Sequence, residues 1–82
     1  MKNWQEQQEM VQKAKAQFPK TFALRHVGMA DTTDRVFRLS DAHSYVNDYG
    51  TVILYVEIQD KAGNWLSFSK GTVEDLNKAV VK

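Results

Sequence analysis

The sequence predicts an α+β domain, a mainly antiparallel four-stranded sheet with helices packed on one face, in the order α-β-β-(loop or short turn)-β-β-α. Three observations carry that reading. Apolar residues recur at helical spacing near both ends of the chain, and they alternate with period two over residues 51–59. The stretch Asp60-Lys61-Ala62-Gly63-Asn64 then joins that run to a second strand-like run with turn-forming residues. With 82 residues there is room for one core and no second, so the chain is read as a single domain over 1–82.

The first helix starts at Asn3, an N-cap residue with Glu6 three positions on. Trp4, Val11, Ala14 and Phe18 fall on one helical stripe, with Met10 beside them. Pro19 disfavours a helical Phe18, so the helix is expected to stop near Gln17. Residues 21–27 alternate and read as a strand, with Phe22, Leu24 and His26 facing inward. Residues 28–34 read as a loop, and 35–39 as a second strand with Phe37 and Leu39 on one face. Residues 40–50 admit a single capped turn or a loop, ending in the turn-like Asn47-Asp48-Tyr49-Gly50.

Residues 51–59 are the clearest strand. Val52, Leu54, Val56 and Ile58 share one face, and Ile53, Tyr55, Glu57 and Gln59 the other. Residues 65–70 follow as the hairpin partner, with Leu66 and Phe68 inward. Thr72 caps a second helix, with Asp75 three residues on, Val73, Leu76 and Val80 as its apolar stripe, and Glu74 and Lys78 as an i,i+4 pair.

Composition narrows the chemistry. Hydrophobic residues make up 43% and charged residues 26%, which is ordinary globular usage. The absence of cysteine excludes disulfides, cysteine zinc sites and thiol nucleophiles. No apolar run approaches the length of about 18 residues that spans a membrane, and the N-terminal residues lack a secretory apolar region, so a cytoplasmic location is expected.

No catalytic residue, cofactor or metal ligand is expected. Asp41-Ala42-His43-Ser44 places a carboxylate, an imidazole and a hydroxyl close together, but no nucleophile elbow surrounds either serine. Asp41, His43 and Asp48 match no metal-ligand spacing. His26 reads as a hydrogen-bonded histidine at the edge of the core. The four glycines are scattered, so no loop cradles a phosphate. The chain is read as non-enzymatic.

The second sheet face is the feature that departs from ordinary patterning. It carries Arg25, Arg38, Ile53, Tyr55 and Trp65, more apolar and aromatic than a solvated face needs. Aromatics interleaved with arginine are the composition of binding hot spots. Two structural readings compete: Tyr55 and Trp65 as cross-strand partners in the hairpin, or residues 40–50 folded over the face. Charge is uneven along the chain, with six cations against two anions over residues 13–38 and two against six over 39–75.

The expected function is a protein-binding module without catalysis. One form is a small inhibitor or adaptor that occupies a surface on a larger complex, by analogy of size and chemistry with phage and mobile-element proteins that block host defences. Another is a homodimer joined through the same face or the hairpin edge. The alternative is a nucleic-acid-binding domain that stacks bases on Tyr55 and Trp65 and holds phosphates with Arg25 and Arg38. A net charge of +1 and the absence of an RNP1 pattern weigh against it.

Overall fold

A computed structural model describes residues 3–25, 32 and 34–81. Its order is α1(Trp4–Lys15), β1(Phe37–Leu39), β2(Tyr45–Val46), β3(Val52–Gln59), β4(Trp65–Thr72) and α2(Val73–Ala79). The four strands form one antiparallel sheet, so the α-β-β-β-β-α order of an α+β domain is observed.

Capping at both helices follows the sequence. The Asn3 side chain accepts from the Glu6 amide at 2.8 Å, and the Thr72 hydroxyl accepts from the Asp75 amide at 3.1 Å. α1 ends at Lys15, and the Gln17 and Phe18 amides close a last turn onto Ala14 and Lys15 before Pro19. Val11 and Ala14 are buried, but Trp4 is 74% exposed. The expected stripe therefore holds only from Val11 onward; Trp4 sits two turns earlier and does not reach the core cluster. Lys78 and Glu74 pair at 3.3 Å as expected.

The first two strands differ from the sequence reading in position. Residues 21–25 do not extend into a strand. Phe22 exchanges two 2.9 Å backbone hydrogen bonds with Phe37, whereas Leu24 bridges Val80, flanked by the Arg25 amide on Ala79 and the Val81 amide on Ala23. A ladder needs consecutive residues facing one partner strand, and here the partner changes within two residues. His26 and Val27 lie outside the described residues.

The fourth strand comes instead from the ambiguous segment. β4 pairs with β3 from Ile53 to Gln59, so β1 and β2 share its other edge. From Leu39 to Tyr45 the chain advances six residues while its partner β3 advances three, from Val56 to Ile53. β1 and β2 are thus one interrupted strand. Ser40, buried, anchors the interruption: its amide donates to the Tyr55 carbonyl at 2.8 Å and its hydroxyl accepts from the Ala42 amide at 3.2 Å.

Both hairpin turns are tied by one acceptor each. Asn47 Oδ1 accepts from the amides of Tyr49 and Thr51, and Asp60 Oδ1 from those of Ala62 and Asn64. Gly50 and Gly63 take positive φ there, 78° and 89°.

The even-numbered face of β3 carries the core. Leu54 and Val56 are sealed with Phe37, and Ala14 from α1 and Leu76 from α2 join the same cluster. Both helices therefore pack on that face. Phe68 adds its ring to Phe37 at 5.0 Å, edge to face. Leu66 also lies on this side, opposite Ile58, but it is 51% exposed because it sits at the hairpin end, far along β4 from the start of α2.

β4 contains a bulge. Pairing steps one residue on β3, from Val56 to Glu57, for two on β4, from Ser69 to Ser67. An unbroken alternation that keeps Leu66 and Phe68 inward would carry Lys70 inward against the core as well. The extra residue resets the parity: Lys70 lies opposite Tyr55 on the outer face, and Gly71 lies opposite Leu54 on the inner one. Ser69, expected outward, lies opposite the inward Val56 for the same reason.

Candidate functional site

Neither described helix packs on the odd-numbered face of β3, and the register arranges its neighbours in rows. Trp65 lies opposite Gln59; Ser67, Glu57 and Arg38 form the next row; Lys70 faces Tyr55; Thr72, Ile53 and Tyr45 form the last. Four of the five residues expected at the site, Arg38, Ile53, Tyr55 and Trp65, are therefore on one surface. Arg25 is exposed, and its amide donates to the Ala79 carbonyl at 2.8 Å, so it belongs to the chain beside the end of α2 rather than to this ladder.

At one end of the face a charge pair is held over a ring. Arg38 Nε donates to Glu57 Oε1 at 2.9 Å, and the guanidinium lies 4.3 Å from the Trp65 ring centroid. Arg38 and Glu57 lie opposite each other on β1 and β3, and Trp65 is reached across β3. The guanidinium satisfies both neighbours at once, donating to the carboxylate through Nε while its carbon stands over the indole.

Tyr55 organises the other end. The Lys70 ammonium stands 5.7 Å from its ring, the His43 ring meets it edge-on at 5.8 Å, and the Tyr45 ring tilts against it at 6.3 Å. Residues 40–50 do not fold over the face. They extend the sheet edge through Tyr45–Val46 and lend it two rings. Tyr55 and Trp65 are not cross-strand partners either, since they lie opposite Lys70 and Gln59. The lateral contacts leave Ile53, Tyr55, Glu57 and Trp65 half-buried, and among the described residues no helix packs above them.

The Asp41, His43 and Ser44 side chains do not engage one another. Asp41 meets Lys15 at 3.4 Å, His43 turns to Tyr55, and the Ser44 hydroxyl is buried without a hydrogen-bond partner. Asp41, His43 and Asp48 do not gather into a ligand set among the described residues. No described helix is long and apolar enough to cross a membrane.

Sequence reasoning missed Lys70, Tyr45 and His43. Lys70 was hidden by the bulge. Tyr45 had a signal: Asn47-Asp48-Tyr49-Gly50 is flanked by Tyr45-Val46 and Thr51-Val52, the pattern of a hairpin. In comparisons with known proteins, no family, no curated protein and no solved structure matches this chain.

Proposed function

We propose that the chain is a non-enzymatic protein-binding module that lays its outer sheet face against another protein. In this reading it acts as a small cytoplasmic inhibitor or adaptor on a larger complex, of the phage or mobile-element anti-defence type. A second copy of the chain is another partner the same face would accept. The observation that supports the reading is the open odd-numbered face, where aromatic side chains are held in place by lateral contacts rather than by a covering layer. Preorganised rings lose little conformational entropy on docking, and aromatics with arginine dominate interface energetics.

The same contacts weigh against nucleic acid. Arg38 is already engaged by Glu57 and Trp65, and Arg25 stands outside the ladder, so the face does not offer the several free cations that phosphate binding uses.

Site-specific photocrosslinking in lysate of the native host tests the proposal. A benzophenone side chain at position 55 is expected to capture one discrete protein, with the adduct surviving nuclease. The same group at Gln12, exposed on α1, captures none. An adduct at position 55 that disappears with nuclease moves the reading to nucleic acid. Equal labelling from both positions, or none from position 55, overturns the role of the face.

A further inference from the structure

We infer that the protein partner presents a carboxylate, set beside an apolar side chain, to the strip formed by Lys70, Tyr55 and His43; this rests on the protein-binding reading of the outer face. The argument starts from where charge is left over. Three ion pairs occur among the described residues, and none includes Lys70. Its side chain is exposed, and its neighbour on the face is the Tyr55 ring.

No acidic residue occupies the Tyr55 row or the next one, where Thr72, Ile53 and Tyr45 lie. Glu57, the carboxylate of the adjoining row, is held by Arg38 at 2.9 Å. A group descending on Tyr55 therefore meets an ammonium on one flank and an imidazole on the other. Its floor is the tyrosine ring, with Ile53 and Tyr45 beside it.

That combination selects the partner chemistry. Ile53 and the two tyrosine rings favour an apolar or aromatic side chain. The uncompensated ammonium favours an anion, and its attraction strengthens as docking removes water. One free cation matches a single carboxylate on a protein; a nucleic-acid backbone draws its affinity from many. The Arg38–Glu57 pair supplies the contrast, because a charge already compensated gains little from a second partner.

Panning a random-peptide phage library on the folded full chain tests this, with Lys70→Glu panned in parallel. Wild-type selections are expected to share an Asp or Glu next to an apolar or aromatic residue. A synthesised consensus peptide loses roughly tenfold in affinity on Lys70→Gln, the scale of a hydrogen bond to a charged group. Lys70→Glu selects Lys or Arg in place of the acid. Circular dichroism verifies that both variants, at an exposed position, remain folded.

Peptides without an acid, or the same peptides on Lys70→Glu, overturn the carboxylate; if their binding still falls on Tyr55→Ala, the face itself stands. Peptides indifferent to Tyr55→Ala, or no enrichment at all, overturn both. A labelled oligothymidylate that binds with a steep salt slope and depends on Tyr55 also overturns both.

Discussion

On one side of β3, Leu54 and Val56 are sealed by two helices and by Phe37; on the other, Ile53, Tyr55 and Glu57 are half-buried by their own lateral neighbours. The same strand supplies both sets, so the difference lies in what stands above it. A covering layer removes apolar area from water on all sides, which is where stability accumulates. Lateral packing removes only part of that area. It sets Arg38 over the Trp65 ring and Lys70 over the Tyr55 ring while leaving both rings half-buried and Lys70 exposed. The inner face holds the fold, and the outer face holds a shape.

Substitutions sharpen that contrast, beginning with the largest effect. Phe37 is 0% exposed, and truncating it removes ring contacts with Phe68 in a site that cannot collapse fully. Phe37→Ala is expected to cost about 3–5 kcal/mol in a urea melt, against a total stability of about 4–12 kcal/mol for a chain of this size. Cooperative unfolding should be lost or nearly so. A cooperative melt shifted by under about 1 kcal/mol would show that the core does not depend on the inner face as described.

On the outer face the order of effects reverses. Tyr55→Ala is expected to cost only about 1–2 kcal/mol in the same melt, because the ring is half-buried. It should nevertheless abolish capture of the partner. A loss of stability as large as that of Phe37→Ala would mean the two faces are not different in kind.

A double-mutant cycle on Arg38→Ala and Glu57→Ala isolates the charge pair. Their side chains are 40% and 22% exposed, so solvent screens them, and a coupling of about 0.5 kcal/mol is expected. Repeating the cycle in about 1 M salt should reduce it. An unchanged coupling would place the interaction in the 2.9 Å hydrogen bond between the two side chains rather than in their screened charge.

The mildest change to the backbone pattern is a deletion. Removing Ser69, the partner of Val56, lets the unpaired Phe68 fall opposite Val56 while Lys70 stays opposite Tyr55. The variant should fold with a change within about 1 kcal/mol. It should also retain the tyrosine ring-current shift on the Lys70 side-chain protons in an NMR spectrum. Unfolding, or loss of that shift, would mean the bulge does more than reset the parity.

Much of this was legible in the residues. The inner set read from alternation on β3 lines the core, and the caps at Asn3 and Thr72 are formed as their spacing requires. The failures share a cause. Residues 21–27 have strand composition, yet Phe22 and Leu24 find different partners, and no local pattern reports which partner a residue meets. Ser69 and Lys70 exchange faces because a single extra residue in β4 inverts the parity of everything after it. Arg25 and Arg38 look equivalent in the sequence. One ends against Ala79 and the other over Trp65, because pairing in the sheet is non-local.

The sequence by itself determined the α+β class, the two capped helices, the hairpin turn at residues 60–64, the turn at 47–50 and the apolar side of β3. These rest on periodicity and on hydrogen bonds within a few residues, which neighbours along the chain specify. Only the tertiary structure decided that β1 and β2 are one interrupted strand and that Lys70 rather than Ser69 stands over Tyr55. It alone decided, too, that Arg38 is compensated while Lys70 is not. Those outcomes depend on register between segments distant in sequence, where one residue of slip exchanges the two faces of a sheet.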